Sequence, residues 1–354
     1  MKHEIALYPG DGIGPEIMDA TVPLLDTLGE KHGFGLETTR YNWGAEHYFE
    51  HETLIPEEEP DQLLDKDAIL HGATGHPDVP NHVEMKPDGH HKIRYELDLF
   101  VDIRPAYLFE GIDSPLAGYQ DQDIDIRWYQ ENSEGVYANI GGRLNRSGQT
   151  EVAVQSGVFT RKGVERVVRL AFKSAQSRDG KLTSITKSNA LRHTHGFWDE
   201  VVEEIAHEYP DVSVEYLFVD AAALHLVQRP EEFDVVVAPN LVSDILTDLS
   251  AGLVGGLGLA PSGNLNPSED VPGMFEPIHG SAPDIAGNDV ANPLAMILSA
   301  AMMLEDIGES AAAADLHESV GAQLRDDSGP RTADIGGNCS TTEVASDLEQ
   351  RIRH

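Results

Sequence analysis

An α/β fold built on a largely parallel sheet is what this sequence predicts, and three observations carry the expectation. Strand-like apolar runs alternate with amphipathic helix-like runs over most of the chain. The 354 residues suggest two domains at a prior of one per ~150 residues. No internal repeat or low-complexity linker interrupts the alternation.

The first strand is "EIALY" (4–8), which passes through "PGDGIGPE" into a helix from about Pro15 to Leu28. Gly10, Gly12 and Gly14 follow a strand and open a helix, yet their spacing is not the G-x-G-x-x-G of a dinucleotide fingerprint, so the stretch reads as a tight turn. Further strands follow at "DAIL", "DIDIRWY", "LTSIT", "VSVEYLFV" and "FDVVVA". The helices include "GFWDEVVEEIAHEY" and "NPLAMILSAAMMLEDIG".

A formal net charge of −36 argues against nucleic acid and anionic membranes, which attract lysine and arginine and repel such a surface. The acidic residues are dispersed, and arginine outnumbers lysine. That composition resembles proteins of salt-loaded cytoplasms, where screening tames self-repulsion. The single cysteine, Cys339, excludes an intrachain disulfide. With no leader-like start and no apolar run near the ~18 residues of a span, the expectation is a soluble cytoplasmic protein.

Candidate chemistry lies at the ends of the predicted strands. In "PNLVSDILTDLSAGL" a helix over 241–253 sets Val242, Leu246, Leu249 and Leu253 on one side and Asp244 and Asp248 on the other. In so acidic a chain a solvated helix face explains that pair as well. Asp220 ends "VSVEYLFV" where a helix begins, the place where open α/β sheets put ligands and also an ordinary N-cap position. Three Asp oxygens suit Mg2+ or Mn2+ better than zinc. Lys187 ends "LTSIT"; a nearby divalent cation disfavours an ammonium, which suits a lysine to general-base work. Arg94 and Arg104 are candidate clamps for a di-acid, and each is equally what a structural ion pair requires. "HGSAPDIAGNDVANP" (279–293) is a second glycine-rich loop, with His279 and Asp284 able to hold an adenosine. The other histidines, including His71, His76, His90, His91, His193 and His195, lack metal-ligand spacing and read as structural or surface residues.

Seven blocks, in order, change this reading: "YPGDGIGPEI", "DIRP", "ENSEGVY", "TKSN", the Asp220 segment, "NLVSDILTDLS" and "FEPIHGSAPDIAGNDVANP". Together they resemble the metal-dependent β-decarboxylating dehydrogenases, which include isocitrate, 3-isopropylmalate, homoisocitrate and tartrate or D-malate dehydrogenases. "ENSEGVYANIGGRLN", "VFTRKGVERVVRLAFKSAQSR" and "LAPSGNLNP" look most like the tartrate/D-malate branch. The resemblance implies a two-domain isopropylmalate/isocitrate dehydrogenase-like fold, not a standard Rossmann fold. Residues 1–100 plus 258–354 would form a large domain, with the cofactor loop and both termini. Residues 101–257 would form a small domain, with the dimer interface and the metal aspartates.

It further implies a homodimer with shared active sites, Asp244 and Asp248 coming from one chain, Lys187 and Asp220 from the other. Lys187, assisted by Asp220, would take the hydroxyl proton and Tyr137 would protonate the enolate. Arg94 and Arg104 would hold carboxylates. The cofactor loop would supply His279, Gly280, Ser281, Ala282, Asp284, Ile285 and Asn292, with Ile13, Thr74 and Asn189 near the nicotinamide. Asp284 followed by Ile285 matches the NAD-type pattern, since a carboxylate accepts hydrogen bonds from ribose hydroxyls and repels the extra phosphate of NADP. K+ is a further candidate cation.

Three departures from the family pattern stand out. Gln130 stands where a third carboxylate-binding arginine is usual, and Arg127, three residues away along a strand, faces the other side. The substrate-selecting segment "NHVEMKPDGHHKIR" has Pro87, Asp88, His90 and His91 in place of the residues that grip isocitrate or an isopropyl group. Ser243 replaces a usual glycine before Asp244. The expected activity is NAD-dependent oxidative decarboxylation of a malate-type 2-hydroxy di-acid, D-malate or tartrate. The alternatives are 3-isopropylmalate dehydrogenase, a metal-dependent lyase without nicotinamide and, on the strength of Gln130, a non-catalytic anion-binding relative.

Overall fold

A computed structural model describes residues 1–56, 60–80, 83, 91–145 and 149–354. Pro87, Asp88 and His90 of the substrate-selecting segment lie outside them. Twelve strands are found among the described residues: β1 (Lys2–Gly10), β2 (Gly35–Arg40), β3 (Ala68–Ala73), β4 (Val101–Tyr107), β5 (Asp125–Glu131), β6 (Gly135–Leu144), β7 (Val152–Val158), β8 (Lys181–Thr186), β9 (Ser213–Phe218), β10 (Val235–Ala238), β11 (Pro261–Leu265) and β12 (Gly273–Pro277). The chain divides into two compact units, one of residues 1–99, 105–124 and 250–354, the other of residues 100–104 and 125–249.

In the first unit the strand order is β2-β1-β3-β12-β11. All neighbours are parallel except β11 against β12. β3 is buried at every position, as a strand covered on both faces must be. The helix Leu294–Asp306 is buried nearly all round, which is why its sequence is apolar all round and lacks a polar stripe. It packs on β12 and on the helix Ser310–Arg325.

In the second unit β5, β10, β8 and β9 are parallel neighbours, and the helices Arg161–Ser177 and His195–Ala206 pack on β8 and on each other. β6 and β7 form a separate antiparallel ribbon.

The division differs from the expected one at Phe100, which belongs to the second unit, and at 105–124 and 250–257, which belong to the first. Tyr107 and Phe109 meet the ring of His317 on the Ser310–Arg325 helix, and Gly111 comes so close that a Cβ would lie 1.9 Å from the Leu324 carbonyl. A Cβ on Gly255 would lie 2.6 Å from Ile112, so the two returning segments also pack together. Among the described residues no helix is long and apolar enough to cross a membrane.

Candidate active site

The paired aspartates lie on the helix Asn240–Leu253. Val242, Leu246 and Leu253 are buried and Leu249 is half-buried, so the apolar spacing does anchor this helix by one face. The outward face carries Leu241, Asp244, Ile245 and Asp248, with Leu241 47 % and Ile245 59 % exposed. Two large apolar side chains flanking two carboxylates do not make an ordinary solvated face. Burial and the neighbouring Asp244 push the Asp248 carboxyl above the usual carboxylate range, while Arg104 opposes the rise.

Arg104 itself is buried. Its Nε donates to Asp102 Oδ2 at 2.7 Å, and its Nη1 donates to Thr247 Oγ1 at 2.9 Å and to Asp244 Oδ1 at 3.1 Å. It therefore fixes the first aspartate of the pair, a contact that the sequence spacing did not reveal.

Lys187 and Asp220 meet for a topological reason. β8 and β9 run parallel with Thr186 opposite Phe218. Lys187 follows one strand, and Asp220 sits in the first turn of the helix Val219–Gln228 that follows the other, so both stand at the same carboxyl edge. Lys187 Nζ donates to Asp220 Oδ1, and this bond holds the Asp220 carboxyl below the usual range. The Lys187 ammonium also stands 5.9 Å from the Phe218 ring centre. Its backbone N–H donates to His195 Nδ1 at 2.8 Å, and burial pushes the His195 imidazole down to about 4, which keeps Nδ1 an acceptor at neutral pH. His195 is thus structural, as its lack of ligand spacing indicated, but the structure it serves is the lysine.

Among the described residues of the single chain no group of three or more His, Cys, Asp or Glu side chains is placed to hold a metal. Asp220 accordingly does not join Asp244 and Asp248 in such a group within this chain. The Asp244–Asp248 pair supplies oxygen ligands only, which suits a hard divalent cation better than zinc.

Gln130 is fully buried on β5, and among the described residues neither its Nε2 nor its Oε1 has a hydrogen-bond partner. Two orphaned amide atoms in the interior are costly unless something polar meets them. Ser243 is also fully buried, and its Oγ lacks a partner among the described residues. Tyr137 is half-buried on β6, and Asn189 is exposed beyond β8.

Arg94 is committed more heavily than expected. It donates to Glu276 Oε1, while the same carboxylate accepts from Asn264 Nδ2 at 2.7 Å and pairs with His71 Nδ1 at 2.5 Å. Arg94 and His71 hold the Glu276 carboxyl far below its usual range against the effect of burial. His71 stacks on Tyr8 with ring centres 4.4 Å apart.

The two glycine-rich loops of the first unit come together. Ile13 N donates to Ser281 O at 2.8 Å, and Ser281 Oγ donates to Gly75 O at 2.5 Å, beside Thr74. Gly12 has φ +58 and a Cβ there would lie 1.9 Å from Ser281 O, so only glycine permits the approach. A cavity of about 540 Å³ is lined by Gly10, Gly12, Trp43, His76, Pro283 and Ala286 among others.

Within the loop, Gly280 is exposed, Ala282 takes the left-handed φ of 38°, and Ile285 N donates to Ala282 O at 3.1 Å. Asp284 is exposed and makes no hydrogen bond or ion pair with the described residues. His279 has a buried Nε2 with no partner among the described residues, and burial lowers its imidazole pKa. Asn292 is buried, donating to Asp334 at 2.9 Å and accepting from Leu294 N at 3.0 Å. Sequence reading missed Glu16, whose carboxylate accepts from the backbone N–H groups of Gly287, Asp289 and Ala291 and so clamps the loop. The only signal was its place in "GDGIGPE". An exposed carboxylate and an orphaned ring nitrogen on a clamped loop fit an adenosine group.

Residues 4–348 match the family model described as isocitrate/isopropylmalate dehydrogenase. A 3-isopropylmalate dehydrogenase of Thermobifida fusca is 44 % identical over 99 % of this chain and 97 % of its own. A probable tartrate dehydrogenase/decarboxylase of Bacillus subtilis is 44 % identical over 99 % and 98 %. The D-malate dehydrogenase [decarboxylating] of Escherichia coli is 44 % identical over 96 % of each chain. Among solved structures, isocitrate dehydrogenase from Methylococcus capsulatus superposes with a TM-score of 0.88 at 35 % identity, covering 99 % of this chain and 100 % of that one. This chain belongs to the isocitrate/isopropylmalate dehydrogenase family of oxidative, decarboxylating dehydrogenases.

Proposed function

We propose that this protein is an NAD-dependent, Mg2+- or Mn2+-dependent oxidative decarboxylase of a malate-type 2-hydroxy di-acid, D-malate or tartrate, acting as a homodimer with shared sites. One observation carries the reading most: the outward face of the Asn240–Leu253 helix holds two mutually repelling carboxylates, one fixed by Arg104, between the exposed side chains of Leu241 and Ile245. A cation relieves the repulsion, and a second copy covers the apolar flanks. The exposed Ile140, Leu144, Val152 and Val154 of the β6–β7 ribbon support the same dimer, since a two-stranded ribbon is marginal alone.

Asp244 and Asp248, with Asp220 of a second copy, would hold the divalent ion and the 279–292 loop would hold NAD; the ion would supply Lewis-acid polarisation of the 2-hydroxyl and ketone oxygens, and NAD a hydride acceptor. Lys187 Nζ, as the neutral amine that a nearby divalent cation favours, accepts the hydroxyl proton, held in position by Asp220 and by the His195 bond to its backbone. Tyr137 Oη delivers a proton to the carbon that loses CO2. Arg104 and Arg94 steer carboxylates, Arg94 by sharing the hydrogen bonds it now gives to Glu276. Gln130, with an unmatched amide, meets a polar but uncharged part of the acid.

NADH formation with Mn2+ in high KCl, across D-malate, tartrate, 3-isopropylmalate and isocitrate, tests the substrate. The best kcat/KM is expected for D-malate or tartrate. A clear preference for 3-isopropylmalate would replace this reading with the runner-up, to which a relative of equal identity lends weight. Failure of NAD to raise the thermal midpoint, with or without Mn2+, would turn the case toward a lyase. For the cofactor, Asp284→Lys should move the NAD-to-NADP preference at least about tenfold toward NADP. An unmoved ratio would remove the basis for choosing NAD.

A further inference from the structure

We infer that Glu131 and Asn240 form a positioning junction that locks the strand carrying Tyr137 to the start of the helix carrying Asp244 and Asp248. The inference rests on the roles proposed above for those three residues. Glu131 is fully buried at the end of β5. Its Oε1 accepts from Ser133 N at 2.8 Å, Ser133 Oγ at 2.8 Å and Glu134 N at 2.9 Å. Its Oε2 accepts from Glu134 N at 3.0 Å and from Asn240 Nδ2 at 3.2 Å.

One carboxylate therefore gathers the whole 131–134 turn and reaches the first residue of the Asn240–Leu253 helix. Asn240 completes the link: its Nδ2 also donates to Glu134 O at 2.6 Å, and its Oδ1 accepts from Leu241 N at 2.9 Å. The turn is held so tightly that a Cβ on Gly135, at φ +66, would lie 2.7 Å from Asn240 Oδ1. Two further contacts brace it from outside. Glu134 accepts from Thr160 N at 2.7 Å, and Arg166 donates to Ser133 Oγ at 2.7 Å with its guanidinium 4.1 Å from the Phe100 ring centre.

Gly135, where β6 begins, lies two residues before Tyr137; Asn240 lies four before Asp244, one helical turn. A shift at the junction therefore moves the proton donor and the metal carboxylates together. Neither residue needs to touch substrate.

Hydrogen exchange and kinetics on Glu131→Gln and Asn240→Ala test the idea in the full-length holoenzyme. In the glutamine variant an NH2 group replaces one oxygen and confronts N–H donors, loosening the turn without changing its size. Amide exchange over residues 133–138 and 241–244 should rise together in each variant, with the Leu294–Asp306 helix unchanged. Turnover should fall about tenfold, with KM for the acid within twofold, the signature of lost alignment. The double variant should lose no more than the worse single one, because both break one link. Exchange rising in only one segment, or in Leu294–Asp306 as well, would overturn the junction. So would kcat within twofold of wild type in both variants. A wild type that oxidises none of the four acids would sink the proposed function, while the paired exchange response would still decide the junction.

Discussion

At the scale of single residues the most informative side chains are those whose polar atoms are not where isolated chemistry would leave them. Gln130 buries an amide with no partner among the described residues, and Gln130→Met keeps the volume while deleting both polar atoms. If the amide serves the substrate, the methionine variant should be as stable as wild type or more stable by about 1–3 kcal/mol, the usual cost of an unsatisfied buried group, yet KM for the acid should rise about tenfold or more. Lost stability with unchanged KM would make Gln130 a packing residue. His195 offers a pH test. Its folded pKa lies below the unfolded value of about 6.5, so unfolding gains protons as pH falls below that value and stability declines toward the folded pKa of about 4. Asparagine can present Oδ1 where Nδ1 accepts the Lys187 N–H. His195→Asn should therefore keep activity at neutral pH and lose less stability than wild type between pH 6.5 and 4, measured by denaturant unfolding. An identical pH slope in both proteins would show that His195 does not titrate in that window.

Elements explain how much of this was legible in the sequence. The strand "VVVA" of β10 could be read because a parallel strand buried on both faces must be apolar throughout. The spacing of Val242, Leu246 and Leu253 gave the helix and its anchored side, since local periodicity and burial coincide there. What could not be read was non-local: Arg104 reaching Asp244, Glu16 capturing the 287–291 backbone, and residues 105–124 returning to the unit that holds the termini. Each depends on contacts between distant segments, for which a single sequence carries no periodic signal. Leu241 and Ile245 belong to the same lesson, because their exposure on the outer face follows from the packing of the whole helix and not from their own identity. The Asn240–Leu253 helix also carries a stability prediction. With no cation bound, Asp248 is opposed by burial and by Asp244, so Asp248→Asn should raise the thermal midpoint of metal-free protein. The same variant should lose the stabilisation that Mn2+ gives the wild type, because the neutral amide is a poorer ligand. A lower metal-free midpoint, or undiminished Mn2+ protection, would separate Asp248 from the metal.

The whole molecule is governed by its charge. With 61 acidic against 25 basic side chains and a formal −36, folding compacts a strongly self-repelling chain. The ion pairs on its surface, such as Arg161–Glu204 and Arg169–Glu208, are exposed and individually worth little. Pairs of that kind offset little of so large a net charge, so on the salt-adapted reading the main relief is screening by salt. The Debye length falls from about 10 Å at 0.1 M to about 3 Å at 1 M, so the thermal midpoint should climb steeply over that range and flatten above it. Screening depends on ionic strength and not on the ion, so KCl, NaCl and tetramethylammonium chloride should act alike on stability. A gain seen only with K+, at concentrations too low to screen, would instead indicate a specific monovalent cation site. A midpoint that stays flat or falls across the range in all three salts would overturn the salt-adapted reading, because repulsion of this size would then have to be relieved within the folded chain itself.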